Sequence, residues 1–256
     1  DFLTNPNQYE IHAWNSFFEW VIWTHVLKLP VPPITQWYDT ASLASAMALP
    51  RSLGECGYVL GMPEDKMKNK RGYYLISKLS KPHKENEDPE LLREMYAYCK
   101  QDVITERAIS KKLCSLNETE RKIWMMDQDI NIRGIKVDTP MLKDAISMYE
   151  MIQNQLTEKL KTLTGLDNPN SQKQFLGWLL DQGVMVNNIQ KATLKNVLGT
   201  PDKHGVHEAV KLKLSLAKTA PKKYLSIKER LGRGTRLHGN IMYHGASTGR
   251  WASTGV

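Results

Sequence analysis

Seven apolar residues between Leu142 and Leu163 constrain this chain more than any other feature of its sequence. Leu142, Ile146, Tyr149, Ile152, Leu156, Leu160 and Leu163 recur at steps of three and four. That spacing puts them on one face of a helix of about six turns. Thr139 stands where an N-cap is expected. Pro140 stands at the first helical position, where a missing N–H leaves no bond unmade. A single stripe of that length needs apolar cover along its run, so it predicts an antiparallel helix pair or a coiled arm. The neighbouring segments agree. Residues 118–131 read as a helix, 133–138 as a turn with a short extended piece, and 171–181 as a further helix. Residues 207–230 read as a basic helix interrupted by Pro221, and 236–256 as short extended pieces around Gly239, Gly245 and Gly249.

The residues before 118 follow another pattern. Residues 9–14 read as a short strand running into a helix over 16–27, which Pro30, Pro32 and Pro33 close. A second strand over 35–38 leads into an Ala-rich helix, 40–49, ended by Pro50. Residues 52–60 predict a short helix ending at Gly61. Residues 66–71 form a basic loop, 72–79 a helix and 81–88 a polar linker. A long helix then opens with Asp88 as N-cap and Pro89 at the first position. Glu90 and Glu94 sit at its positive end, and it runs to about Leu113. Strands alternating with helices predict a partly parallel sheet covered by helices, with too few strands for a complete one. The change of character near residue 117 places a domain boundary there.

Charge narrows the functional classes. Residues 1–117 carry 14 basic and 14 acidic side chains, residues 118–199 carry 10 of each, and residues 200–256 carry 11 and 3, so the whole +8 lies in the last segment. Segregated positive charge points to a polyanion such as nucleic acid. Residues 21–29 are interrupted by Thr24, His25 and Lys28, far short of the ~20 apolar residues of a membrane span. No membrane partner is expected. Asp1-Phe2-Leu3-Thr4-Asn5-Pro6 does not read as a signal peptide. Cys56, Cys99 and Cys114 are odd in number and never spaced CxxC. This argues against a disulfide framework or a structural zinc and for a reducing, cytoplasmic setting. The seven histidines share no ligand spacing, so no transition metal is assigned. Trp14, Trp20, Trp23 and Trp178 read as core or interface aromatics.

Two pairs carry chemistry. Tyr98 and Asp102 stand four apart on one face of the long helix, and Asn15 and Glu19 share that spacing at a strand-to-helix junction. A carboxylate at the junction and another on a crossing helix could meet over a hard cation such as Mg²⁺, which takes oxygen ligands and keeps waters. Two such ions can activate a water and stabilise the leaving oxygen of a phosphodiester. A tyrosine one turn from the carboxylate could orient that water. The spacing alone also fits ordinary helix-face residues.

Tyr98-Cys99-Lys100-Gln101-Asp102-Val103 resembles the third motif of DEDD-type 3′–5′ exonucleases in the tyrosine variant. Asn15-Ser16-Phe17-Phe18-Glu19 resembles the second motif, as NxxFE. Asp39-Thr40 before an Ala-rich helix, then Leu53-Gly54, fits the same domain. So does Asp127-xx-Ile130-Asn131-x-Arg133-Gly134-Ile135-x-Val137-Asp138. Asn168-Pro169-Asn170-Ser171-Gln172-Lys173-Gln174-Phe175-Leu176 is similar to the thumb of family A (Pol I-like) DNA polymerases, and Lys218-Thr219-Ala220-Pro221-Lys222-Lys223-Tyr224 to their Lys-rich stretch between thumb and palm. His244-Gly245-Ala246-Ser247-Thr248-Gly249-Arg250-Trp251-Ala252-Ser253 resembles the T-G-R motif that opens the palm. The order of these segments resembles the phage-type members of that family. Two departures stand out. The first exonuclease motif, D-x-E, is not found, and Glu19 stands where the family often has Asp.

The resemblance implies an α/β fold, an incomplete RNase H-like exonuclease domain with a mixed sheet and helices over 1–117. A mainly α-helical thumb over 118–235 and the start of a palm over 236–256 follow. It implies Glu19 and Asp102 as Mg²⁺ ligands, Tyr98 positioning the attacking water, and Asn15 beside them. Arg250 is the implied contact to the primer–template duplex. Lys218, Lys222, Lys223, Lys228, Arg230, Arg233 and Arg236 could neutralise phosphates, while Ser171 and Gln174 could donate to phosphate or simply cap a helix. The palm aspartates and the fingers helix are expected beyond Val256. The chain then reads as an interior piece of a DNA-replicating nucleotidyltransferase, from mid-exonuclease through the thumb. Its partners would be a primer–template duplex, a single-stranded 3′ end and the remaining polymerase fragment. Two alternatives stay open: a non-catalytic DNA-binding module, or one half of a split polymerase completed by a second polypeptide.

Overall fold

The computed structural model describes residues 8–69, 71–80, 88–218 and 221–253. Most of the expected linker, 81–87, lies outside the described residues, as do Thr219 and Ala220 of the Lys-rich stretch. The chain is mixed α/β and mostly helical. It divides into two compact units, residues 1–135 with 238–255, and residues 136–237. The composition change near 117 therefore falls inside the first unit.

In the first unit β1 (Ile11–Ala13) and β2 (Trp37–Asp39) pair in parallel, with Ile11 opposite Trp37 and Ala13 opposite Asp39. Parallel neighbours need a crossover, and α1 (Ser16–Val21), extended by a π-turn over Ile22–Val26, supplies it. The second strand starts later than the sequence predicts, because Ile34–Gln36 close a 3₁₀ turn first. Next comes α2 (Thr40–Ala46), whose Ala41 and Ala44 are fully buried. It is followed by α3 (Leu53–Val59), α4 (Gly72–Leu79), α5 (Pro89–Ser110) and α6 (Glu118–Arg133).

The expected mixed sheet is not formed by the described residues of this unit. Its strands make two separate pairs, the second being antiparallel β5 (Ile241–Met242) with β6 (Ala252–Ser253). The helices cover these short pairs around two clusters. Trp37, Trp124 and Tyr243 form one, and Ala44, Leu53, Cys56 and Ile109 form the other.

The second unit is helical, entered and left through the short strands β3 (Ile135–Lys136) and β4 (Arg236–Leu237). The striped segment is α7 (Thr139–Thr164), 26 residues ended by Gly165 in the left-handed conformation at φ 67°. Its cap is Asp138 and not Thr139. The Asp138 carboxylate accepts the Met141 N–H at 3.0 Å, which makes Thr139 and Pro140 the first two helical residues.

No single partner runs along the stripe. Leu142 and Ile146 pack with Leu225, Ile227 and Leu231 of α11 (Lys222–Leu231). Leu156 and Leu160 pack with Phe175 and Leu179 of α8 (Gln172–Asp181) and with Ala209 and Val210 of α10 (Val206–Leu216). Ile152, between the two contact regions, stays 43% exposed. The expected basic helix over 207–230 is therefore two helices, α10 and α11, and a further short one, α9 (Lys191–Val197), lies between α8 and α10.

Candidate functional site

Two corners of the first unit carry the motif residues. Asn15 adopts φ 66°, ψ 56° and turns β1 into α1, a backbone region that Asn tolerates better than most residues. Its N–H donates to Asp39 Oδ1 at 3.0 Å. The same oxygen accepts the Ala41 and Ser42 N–H groups that start α2, and Oδ2 accepts the Ser42 hydroxyl at 2.9 Å. Asp39 thus caps one helix and pins the start of another.

One turn into α1, Glu19 is half-buried and its Oε2 has no hydrogen-bond partner. Burial pushes its carboxyl from an ordinary 4.5 up to about 7. Its own backbone amide works against this, and the neighbouring carboxylates of Asp39 and Glu106 add to it. Glu106 is itself buried and accepts the Thr40 hydroxyl.

The other pair sits on α5. Tyr98 is 6% exposed, with its ring against the backbone of Gly72; a Cβ there would stand 2.1 Å from the ring. Burial and the Asp102 carboxylate push the phenol upward, against the opposing effect of Lys68, so Tyr98 is a protonated donor. Asp102 meets Lys68 Nζ at 3.4 Å through Oδ2, while its Oδ1 is buried without a partner. Burial disfavours the Lys68 charge, but Tyr98 and Asp102 outweigh it and raise its basicity.

The structure therefore joins Tyr98 to Asp102 and Asn15 to Asp39. Among the described residues no partner is shared by Glu19 and Asp102. The carboxylates that act on Glu19 are Asp39 and Glu106, and Glu106 lies one helical turn beyond Asp102 on the same face of α5. Among the described residues no group of three or more His, Cys, Asp or Glu side chains is arranged to hold a metal ion. Glu19 and Asp102 nevertheless each hold an orphaned carboxylate oxygen, the hard donor that Mg²⁺ prefers. The donor chemistry fits such an ion; the number of donors does not close a site around it.

Sequence reasoning nominated neither Lys68 nor Asp39 as a site residue. The signal for Lys68 was the basic loop ending in Gly72, and for Asp39 an acidic residue followed by Thr40 at a strand-to-helix change. The other motif residues of this unit have structural work. Asn131 exchanges hydrogen bonds with the backbone of Ile241 and donates to Asp127. Arg250 is exposed at a tight turn where Gly249 adopts φ 78°, and its Nε donates to Thr248 Oγ1 at 3.2 Å.

The second unit carries the cations. Lys218, Lys222, Lys223 and Lys228 are exposed and pair with no carboxylate among the described residues. Arg233 is exposed just after Gly232, whereas Arg230 and Arg236 are half-buried. A cavity of about 1110 Å³ is bordered by α7, α9 and α10 and reaches Lys222. Lys191, Lys195, Lys213, Lys218 and Lys222 line it, with no acidic residue. Three of these lysines were not expected. Lys213 is the buried one, its ammonium donating to the Pro169 carbonyl at 2.6 Å above the Phe175 ring. Ser171 and Gln174 are engaged locally. Ser171 caps α8 by accepting the Gln174 N–H, and Gln174 Oε1 accepts the Asn168 N–H at 3.0 Å.

No family model matches the chain. The DNA polymerase of Bacillus phage SP02 is 35% identical to it over 255 residues, which cover 94% of this chain and 39% of that protein. The chain thus spans about two-fifths of the length of this relative.

Proposed function

We propose that this chain is part of a family A DNA polymerase acting in DNA replication. In this reading the first unit carries an RNase H-like 3′–5′ exonuclease domain and the second a thumb that grips duplex DNA. What supports it is one coincidence. The chain is similar along nearly its whole length to a phage DNA polymerase, and Glu19 and Asp102, the residues that resemble the exonuclease carboxylates, are two that keep a buried oxygen without a partner. Addition of deoxynucleotides to a primer would belong to the longer enzyme.

Excision of a 3′ nucleotide requires water to attack the terminal phosphodiester while the 3′-oxygen of the preceding sugar leaves. Tyr98, held protonated beside Asp102, donates a hydrogen bond that orients that water. Glu19 and Asp102 would hold Mg²⁺, which when bound would neutralise phosphate charge and lower the pKa of a ligated water. The Asp39 corner fixes the start of α1 and hence the position of Glu19. The lysines of the second unit would neutralise duplex phosphates, and Arg250 would approach the duplex from its exposed turn. DNA is then the partner, and the setting is the cytoplasm of a bacterial or phage-infected cell. Among the described residues no helix is long and apolar enough to cross a membrane.

One observation favours a second reading: no cluster of three metal-ligating side chains exists among the described residues. It fits a non-catalytic DNA-binding module with a remnant nuclease fold. A labelled single-stranded primer with Mg²⁺ separates the two. Degradation that Asp102→Ala abolishes supports the exonuclease. Salt-sensitive duplex binding without metal-dependent cleavage overturns it and leaves the module. Primer extension restored by adding a palm–fingers polypeptide would mark half of a split enzyme.

A further inference from the structure

The basic segment around Lys68 has no role in the reading above, yet it is tied to the site by several independent contacts. Gln101 lies between Tyr98 and Asp102 on α5. Its Nε2 donates to the carbonyls of Asp65 and Met67, both at 3.0 Å. That clamp delivers the next residue, Lys68, to the site. Its Nζ lies 3.4 Å from Asp102 Oδ2 and 5.6 Å from the centre of the Tyr98 ring. On α3, a Cβ at Gly54 would stand 3.7 Å from both Cβ and Cδ of Lys68, so the aliphatic stem lies along that helix. Gly72, which ends the loop, admits the Tyr98 ring.

We infer that Lys68 is a positioning residue that presents its ammonium to a backbone phosphate of single-stranded DNA at the Tyr98–Asp102 site. A lone Lys–Asp pair this exposed adds little to folding, which does not account for so elaborate a setting. An ammonium carries three donors in different directions. Tyr98 and Asp102 engage two of them, and the Lys68 side chain stays 36% exposed, so an anion can reach the third. A water oriented by Tyr98 must attack a phosphorus close by, so the Lys68 ammonium beside Tyr98 and Asp102 falls near that phosphate. The inference rests on the exonuclease reading for the identity of the strand, but its test does not need cleavage.

The full chain is titrated in EDTA against a 5′-labelled single-stranded oligodeoxynucleotide, followed by fluorescence anisotropy over a range of salt. Lys68→Ala should weaken binding about tenfold, the size of one lost charge-assisted contact. It should also flatten the log–log salt slope by about 0.7. Lys68→Arg should restore both. Lys68→Met keeps the stem against α3 and should behave as Lys68→Ala if packing is not the cause. A neutral methylphosphonate at one linkage near the 3′ end should cost the wild type about as much as Lys68→Ala, and add nothing in that variant. An unchanged slope, or fully additive losses, overturns the inference. Additive losses together with cleavage that Asp102→Ala abolishes would sink the Lys68 role and leave the exonuclease. Non-additive losses without any cleavage would do the reverse.

Discussion

Asp127→Asn should make the first unit more stable at neutral pH and less sensitive to pH. Asp127 on α6 is 1% exposed. Its Oδ2 accepts from Gln128 Nε2 at 2.9 Å and from Asn131 Nδ2 at 3.2 Å, while Oδ1 is buried without a partner. Burial pushes the carboxyl from an ordinary 3.8 up to about 7. Arg51 opposes the shift and Asp39 adds to it, with the Asn131 and Gln128 amides opposing more weakly. Below the unfolded pKa both states are protonated, and the group does not alter stability. Between roughly pH 4 and pH 7 the unfolded chain loses this proton while the native one keeps it, so stability falls as pH rises. Above about pH 7 both are ionised and the whole loss persists. A shift of about 3 units corresponds to a ceiling of about 4 kcal/mol, and relaxation and water penetration around the site bring roughly half of that into a measurement.

An asparagine keeps the oxygen that accepts the two amides and never ionises. The difference in unfolding free energy between variant and wild type should therefore grow by about 2 kcal/mol from pH 4.5 to pH 8. For a unit of this size that is a gain in Tm of about 4–8 °C. Tryptophan fluorescence is the probe, since Trp14, Trp20, Trp23, Trp37, Trp124 and Trp251 lie in the first unit and only Trp178 in the second. Glu19, also raised to about 7 by burial, leaves a residual slope in both proteins. Parallel stability–pH curves, or a variant less stable at pH 8, would refute the reasoning.

Gly72→Ala should destabilise the first unit by about 1–3 kcal/mol through overpacking, because its Cβ would stand 2.1 Å from the Tyr98 ring. An unchanged urea midpoint would show that the ring does not press on this backbone. Replacing Lys222, Lys223 and Lys228 by Ala should weaken DNA binding for all sequences alike and flatten the salt slope by up to about 2.7. Lys222 and Lys223 are neighbours on one arc of α11, with Lys228 well round from both at roughly 100° per residue. The Lys222→Ala, Lys223→Ala pair should therefore carry most of that change, and an unmoved slope would remove the phosphate-binding role from this helix.

What the sequence made legible was local. Asp88 and Pro89 mark the start of α5, and 72–79 reads as the helix it is, because caps and breakers act over a few residues. The start of α7 is misjudged by one residue because two capping residues, Asp138 and Thr139, stand side by side and the longer-reaching carboxylate takes the Met141 amide. The short α9 carries only Leu194 and Val197 as buried residues, too few for a periodic signal. At the site, the Tyr98–Asp102 spacing is visible within one helix. Lys68 approaches Asp102 from another part of the chain, and Thr40 meets Glu106 across 66 positions; no spacing rule connects such pairs.

Charge shows the same limit from the other side. Counted along the sequence, the positive excess lies in residues 200–256. Counted by folded unit, residues 136–237 carry 17 basic and 9 acidic side chains, and the rest of the chain carries 18 of each. Arg250 thereby leaves the cationic group, and Lys191 and Lys195 enter it. Glu19, Asp102 and Asp127, each with an orphaned carboxylate oxygen, all belong to the neutral unit. A surplus of fixed cations there would compete for those oxygens, and among the described residues the cation that meets Asp102 is Lys68, whose side chain is about a third exposed. Salt dependence of duplex binding should accordingly follow substitutions in the second unit, while single-strand binding should respond to Lys68.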